Sequence, residues 1–409
     1  MKIVFVNRFF HPDSSATSQM LSDLAIDLAH DHDVHVVTSR LKYDDPAAGL
    51  PAQDELDGVT VHRVWTSQFG RRSHVGRTLD YLTFYISATL RLLALIRAGD
   101  LVVAMTDPPL ISVPVAIVGR LKRGRILNWL QDMFPEVANE LDFKHLARTT
   151  GEILGWCRDR SLSMASCNVV LGDVMAAKVA GRAIPAERIR VIHNWSSGTQ
   201  VQPLAPELNA LRREWGLDGK FVVGYSGNMG RAHDFTSLLG AARRLAHRTD
   251  ILFLLIGAGK QRPDLEAAVS REGLTNVMFR PYQPREVLAQ SLTAPDCHIV
   301  SLKPVLEGLV VPSKLYSSIA AGRPVIFLGA DDGEVGRLMK AGPAFGIRVD
   351  PDDVSGLVRA IERLSADRGR SAALGLAGRR IFEQRFDQPI AVAKWRALIA
   401  ETAAQPAHN

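Results

Sequence analysis

Cysteine is scarce in this chain of 409 residues: Cys157, Cys167 and Cys297 are odd in number and share no paired spacing. Neither a disulfide framework nor a zinc site follows, and a reducing cytoplasm is the expected compartment. Long apolar runs are also missing. The longest apolar helix candidate, TLDYLTFYISATLRLLALIR from Thr78 to Arg97, is interrupted by Asp80 and Arg91. It falls short of the roughly 18 uninterrupted apolar residues of a membrane span. The opening MKIVFVNRFF has one lysine before a five-residue apolar run and no small-residue cleavage site, so it reads as a first strand rather than a signal peptide. Two nucleotide motifs are absent as well. No G-x-x-x-x-G-K-[ST] occurs, and the first strand is not followed by G-x-G-x-x-G; IGAGKQR supplies Gly257 and Gly259 without the third glycine or the downstream acid. P-loop and dinucleotide chemistry are thereby excluded. There is no short repeat and no low-complexity tract.

What is present describes a folded α/β protein. Hydrophobic residues make up 46% and charged residues 22% of the chain, a globular balance, and the length suits two domains of about 200 residues each. A formal charge of +6 and a pI near 9.3 suit either an anionic partner or an ordinary solvated surface. No basic-aromatic pattern or binding module points to nucleic acid. Strand candidates alternate with helical segments: IVFVN, DVHVVTS, VTVHRVW, DLVVAMT, RILNWLQD, CNVVLG and RIRVIHN. After a less patterned stretch at 196–206 the cycle restarts with FVVGYSG, ILFLLIG, NVMFRPY, DCHIVSL, RPVIFLG and FGIRV. Short, nearly continuous apolar strands separated by helices predict parallel sheets covered on both faces, and the restart predicts two of them. The expected domains are 1–195 and 207–387, with a last helix over about 388–402.

Ligands of doubly wound sheets bind beyond the carboxyl ends of the strands, which directs attention to three turns. In NRFFHPDSSATS the small residues Ser14, Ser15, Thr17 and Ser18 open a helix; they can bind an anion or simply cap the helix. In GYSGNMGRAHDF, Gly224, Gly227 and Gly230 precede Arg231, which suits a phosphate site or a tight turn at positive φ. In EGLVVPSKLYSSIAAGRPVI, Pro312 and Ser313 mark a helix start and Lys314 stands in the first turn. A cation there runs against the helix dipole and makes sense opposite an anion, although a solvated lysine is the plain alternative. Three such turns together suggest a nucleotide diphosphate held by the second domain, with another substrate facing it from the first.

From FFHPDSSATSQMLSDLAIDLA through IGAGKQRPDLE and NVMFRPY to VPSKLYSSIAAGRPVI and RRIFEQRF, the chain resembles the family 4 glycosyltransferases of the GT-B fold. The branch it is most similar to builds bacterial capsule, O-antigen and exopolysaccharide, and includes fucosamine transferases. The resemblance implies two Rossmann-like domains about a cleft, and retaining transfer of a sugar from a nucleotide-diphosphate donor, expected to be a UDP-sugar, without a metal or other cofactor. It implies that the C-terminal helix returns to the first domain. Gly227, Asn228 and Arg231 are implied to lie near the diphosphate, and Gly257 and Gly259 to form a donor-side turn. The backbone from Arg280 to Tyr282 is implied at the base edge, and Pro312, Ser313 and Lys314 at sugar and pyrophosphate. Pro12, Ser14 and Ser15 are implied at both acceptor and phosphate, and Asp132 and Glu136 of WLQDMFPE at the cleft. The chain departs from the pattern where the family commonly has paired glutamates: Leu309 and Ser317 occupy those positions, leaving Glu307 as a displaced substitute and Ser317 with a hydroxyl for ribose. Gln131 and His233 stand where histidine and lysine are common.

The chemistry can be argued apart from family. Cleaving a glycosyl phosphate leaves negative charge on the diphosphate, so cations and N–H dipoles are the main need; Arg231, Lys314 and the turn at Pro312–Ser313 are the candidates. A retaining transferase can let the donor phosphate accept the acceptor's proton, whereas a retaining hydrolase needs two carboxylates about 5 Å apart. Asp132 is then an acceptor-hydroxyl orienter or a helix cap, and Glu136 an acceptor contact or a surface charge. Arg71, Arg72, His74 and Arg77, with Arg120, Lys122, Arg123 and Arg125, flank apolar segments. They suit an anionic bilayer carrying a polyprenyl-diphosphate-linked acceptor, or a solvated surface beside a core helix. A nucleotide-sugar epimerase and an inactive nucleotide-sugar-binding protein are the alternatives in other classes.

Overall fold

The computed structural model describes residues 1–13, 15–42, 49–70, 74–141 and 148–404. Of the candidates above, Ser14, Arg71, Arg72 and the side chain of His74 lie outside the described set. The chain divides into two compact units: Met1–His193 with Val392–Asn409, and Asn194–Ala391.

In the first unit the strands are β1 (Lys2–Val6), β2 (Asp33–Ser39), β3 (Gln53–Leu56), β4 (Val59–Val64), β5 (Leu101–Ala104), β6 (Arg125–Trp129), β7 (Cys167–Val170) and β8 (Ile189–Val191). Among the described residues they form one sheet in the order β3-β4-β2-β1-β5-β6-β7-β8. All neighbours pair in parallel except β3 with β4. The inner strands are continuous apolar runs because helices cover both faces. On one face Val4, Val6, Val102 and Ile126 meet Phe84, Ala88 and Leu92 of helix His74–Leu95, spaced four apart, and Val115 and Val118 of helix Ser112–Leu121.

Arg91, one of the charges that interrupts this apolar helix, points inward. Its Nη2 donates to His62 Nδ1 at 2.6 Å, which requires the hydrogen of His62 to sit on Nε2. That hydrogen is donated to His35 Nδ1 at 2.9 Å, and His35 Nε2 in turn donates to Asp33 at 3.0 Å. Three elements are thus tied by a directional chain of neutral imidazoles. Burial, Arg91 and His35 push the pKa of His62 down to about 4.

Strand β3 is absent from the sequence expectations. Its residues, Gln-Asp-Glu-Leu, are mostly exposed and polar, so no apolar run marks it. It forms because Asp57 and Gly58 adopt φ of 45° and 83°, the left-handed pair of a tight hairpin turn. The dipeptide Asp-Gly was the available signal.

In the second unit β9 (Phe221–Ser226), β10 (Ile251–Ile256), β11 (Val277–Arg280), β12 (Cys297–Ser301), β13 (Val325–Leu328) and β14 (Gly346–Val349) pair in parallel in the order β11-β10-β9-β12-β13-β14. The last helix spans Gln388–Ala404, and its stretch from Val392 belongs to the first unit. There Trp395 lies 4.8 Å from Trp129 and Arg396 bonds Asp27 at 2.7 Å. In each sheet the strand order reverses at one point: between β1 and β5 in the first unit, and between β9 and β12 in the second. Ligands bind at such points in open α/β sheets.

Candidate active site

The turn after β9 and the turn after β10 are built as one piece. Gly227 N–H bonds to the carbonyl of Ile256 (2.9 Å) and Met229 N–H to that of Ala258 (2.7 Å), while Gln261 N–H bonds back to Met229 (3.0 Å). Gly227, Gly257 and Gly259 have φ of 130°, 135° and 144°, conformations open to glycine alone. A Cβ on Gly257 would stand 2.1 Å from Gly227 O, and one on Gly259 2.5 Å from Asn228 Oδ1. The two later glycines therefore let the two turns interlock.

Lys314 begins the helix Lys314–Ala320 that follows the loop after β12. Its Nζ donates to Tyr225 Oη at 2.6 Å and to His233 Nε2 at 2.9 Å, and lies 4.3 Å from the centre of the Tyr225 ring. His233 Nδ1 donates to the carbonyl of Ser301 at 2.7 Å, so its Nε2 carries the lone pair that accepts from Lys314. Tyr225 donates its own hydrogen to Asn228 O at 2.7 Å. Burial first, then the charge of Lys314, hold the pKa of His233 down to about 3, and burial pulls that of Lys314 well below its ordinary value. Among the described residues Lys314 has neutral partners and no carboxylate counter-ion. An ammonium in that setting is stabilised by an incoming anion.

The remaining donor-side candidates occupy varied positions. Arg231 follows the glycine turn, half-buried. The carbonyl of Arg280 accepts from Gly257 N–H (3.0 Å) and Arg262 (3.1 Å), and its guanidinium lies over Trp215, 5.5 Å from the ring centre. Tyr282 is exposed. Pro312 is buried and Ser313 stands at the N-cap without a side-chain cap bond. Ser317 Oγ bonds back to Lys314 O at 3.1 Å. Glu307 packs against Gly333 and accepts from Glu334 N–H at 3.2 Å, at the start of helix Glu334–Lys340. A carboxylate at that place suits a helix N-terminus.

At the switch point of the first unit, Arg8 N–H bonds to Asp107 O at 2.6 Å. The Arg8 guanidinium is buried between Phe9 and Tyr81, 5.2 and 5.0 Å from their centres. Asp132 follows the neighbouring β6. Burial and then the Asp107 charge raise its pKa to about 7, against a hydrogen bond from Thr106. Its Oδ1 has no hydrogen-bond partner among the described residues. Pro12 lies in an exposed turn, and Ser15 is the N-cap of helix Ala16–Ala29, its N–H bonded to Asp13 at 2.9 Å. Glu136 is gripped by Arg158 at 2.7 and 3.0 Å and by Arg182 at 2.6 Å. Burial opposes its ionisation, yet the bonds and charge of Arg158 hold its pKa below the ordinary value. Arg8, Asp107, Tyr225 and the pairing of His233 with Lys314 were not among the sequence candidates. Arg8 was visible in VNRFF as a charge directly after a strand.

Two parallel-sheet units, the second with a lysine that has no carboxylate partner among the described residues at its switch point, define a two-domain α/β protein of the GT-B class. HepE of Anabaena, solved with UDP and glucose, shares this fold: TM-score 0.73 at 18% identity, over 98% of this chain and 100% of that one. Residues 16–195 match the glycosyl transferase 4-like domain and residues 220–367 the glycosyl transferases group 1. The chain belongs to the glycosyltransferases composed of these two domains. It is 31% identical over 191 residues to the putative colanic acid biosynthesis glycosyl transferase WcaI of Escherichia coli, covering 46% of this chain and 47% of WcaI. The match thus spans about half the length of that relative. It is 26% identical over 320 residues to the probable glycosyltransferase WbjE of Pseudomonas aeruginosa, covering 76% and 77% of the two chains.

Proposed function

We propose that the protein transfers a sugar, with retention of configuration, from a nucleotide-diphosphate donor to a saccharide or lipid-linked saccharide acceptor in surface polysaccharide synthesis. The observation that carries the reading is Lys314, its Nζ set between neutral Tyr225 and His233 at the β9/β12 switch point with no carboxylate partner among the described residues. A donor diphosphate supplies the missing counter-ion, and the charge that develops on it as the glycosidic bond breaks is met by Lys314, Arg231 and the amides of Asn228 and Gly230. With these groups neutralising the leaving diphosphate, transfer runs without a metal ion. A UDP-sugar is the expected donor, supported by the fold shared with the UDP complex of HepE. Asp132, ionised, orients the acceptor hydroxyl, and the donor phosphate takes its proton.

The test is release of nucleotide diphosphate from UDP-, GDP- and ADP-sugars, with and without polyprenyl-diphosphate-linked acceptors, together with product mass. Acceptor-dependent release from one donor, lost in Lys314→Ala, supports transfer. Nucleotide binding without release across the acceptor panel, or an altered sugar on an intact nucleotide, overturns it.

A further inference from the structure

Among the described residues five arginines are all but removed from solvent: Arg8, Arg63, Arg158, Arg212 and Arg379, between 3% and 8% exposed. A guanidinium keeps its charge when buried and loses its hydration, so each of them needs partners. Four have a carboxylate within reach. Arg63 pairs with Asp54 at 2.9 Å, Arg158 with Glu136 at 2.7 Å, Arg212 with Asp296 at 3.2 Å and Arg379 with Glu383 at 2.7 Å. Each of the four also donates to at least one backbone carbonyl. Arg8 is the exception: its guanidinium has no ion pair with a described residue, and its Nε is buried without a hydrogen-bond partner.

The setting gives the missing partner a place and a shape. Arg8 is pinned directly after β1: its N–H bonds to the carbonyl of Asp107, and its own carbonyl accepts from Thr38 Oγ1 and Ser39 N–H at 3.0 Å each. Phe9 and Tyr81 attract the positive charge of the side chain, but a ring supplies no oxygen to its N–H groups. The planar fork of a guanidinium matches the paired oxygens of a carboxylate or a phosphate. The sheet order β1-β5-β6 sets Arg8, Asp107 and Asp132 after three neighbouring strands. Strands β1 and β6 therefore run roughly 10 Å apart, near enough for one bound molecule to reach both Arg8 and Asp132.

We propose that Arg8 is the anion site for the acceptor: its guanidinium binds an oxyanion that the acceptor carries, a saccharide carboxylate or a phosphate, while Asp132 meets the reacting hydroxyl. The acceptor is then a negatively charged molecule. An uncharged sugar is selected against because it leaves the buried guanidinium without a counter-ion. Calling the bound molecule an acceptor rests on the transferase reading above. The binding itself is tested apart from turnover and apart from the donor.

The experiment is calorimetric titration of the full chain with glucuronate and, separately, with inorganic pyrophosphate, alongside melting temperatures. Every protein carries Lys314→Met, so that the proposed donor-diphosphate site does not compete for either ion. This parent is compared with the forms that add Arg8→Met or Arg8→Lys. Expected are saturable binding of at least one ion by the parent, at least about tenfold weaker binding in Arg8→Met, and an intermediate loss in Arg8→Lys, which keeps the charge without the fork. Arg8→Met is expected to melt no lower than the parent, because it removes a buried charge that has no counter-ion. Arg8-dependent binding of glucuronate identifies a saccharide carboxylate, and of pyrophosphate a phosphate; either supports the proposal. Binding of neither ion overturns it, as does an affinity that Arg8→Met leaves unchanged. A loss in Arg8→Met that comes with a collapsed Tm, while folded Arg8→Lys binds as the parent does, also overturns it. Nucleotide binding by the protein that retains Lys314, with no ion bound at Arg8, would leave the transferase reading standing and sink this inference alone.

Discussion

Lys314 donates to a phenol and an imidazole that are each obliged to accept, because Tyr225 gives its hydrogen to Asn228 O and His233 gives its Nδ1 hydrogen to Ser301 O. The lysine was legible in VPSKLYSS; its partners, 89 and 81 residues earlier, were brought to it by the crossover between β9 and β12, which local spacing does not reveal. Asp132 is the second residue in a costly state. Its raised pKa makes the native fold bind a proton more tightly than the unfolded chain, so its contribution to stability is present below the ordinary carboxyl pKa and lost as pH rises through about 7. Asp132→Asn is therefore expected to raise Tm at pH 8, to leave it unchanged near pH 3, and to lower kcat about 100-fold. In the wild type, activity should rise with pH through about 7 as Asp132 ionises. Melting curves at the two pH values and a pH–rate profile check these points. Glu136 shows the limit of charge-reading: WLQDMFPE announced the carboxylate, but Arg158 and Arg182, which engage it, lie 22 and 46 residues away.

Among the elements, apolar strands were legible because burial on both faces leaves continuous hydrophobic runs, and β3 was not because an edge strand held by a hairpin needs none. The glycines at 257 and 259 were read as a donor-side turn, and the structure adds a local reason for them: a Cβ on either would meet the 227–229 turn. Gly257→Ala is expected to destabilise the second unit by more than about 2 kcal/mol, from backbone strain and the clash with Gly227 O together; denaturant unfolding measures it. The chain from Asp33 to Arg91 has an acid-sensitive consequence. His62, its pKa held at about 4 against an ordinary 6.5, contributes stability that is complete above pH 6.5 and lost as pH falls toward 4. The expected loss is about 1–3 kcal/mol across that window, and His62→Gln should flatten it. A stability profile of both proteins, unchanged by the substitution, would rule out this origin.

For the molecule as a whole, alternating strands and helices with a restart after the stretch at 196–206 announced two α/β units, and the order of motifs announced the family. Sugar, base and acceptor stayed illegible, because no motif in the sequence specifies them. Function rests on whether the unpaired-by-carboxylate Lys314 is an anion site. The direct measurement is calorimetric titration of wild type and Lys314→Met with UDP, GDP and ADP, alongside their melting temperatures. Predicted are binding of one nucleotide by the wild type, weakened about 10- to 100-fold in the variant, and an equal or higher Tm once the buried charge is gone. Equal affinity in the two proteins at unchanged Tm would contradict the assignment.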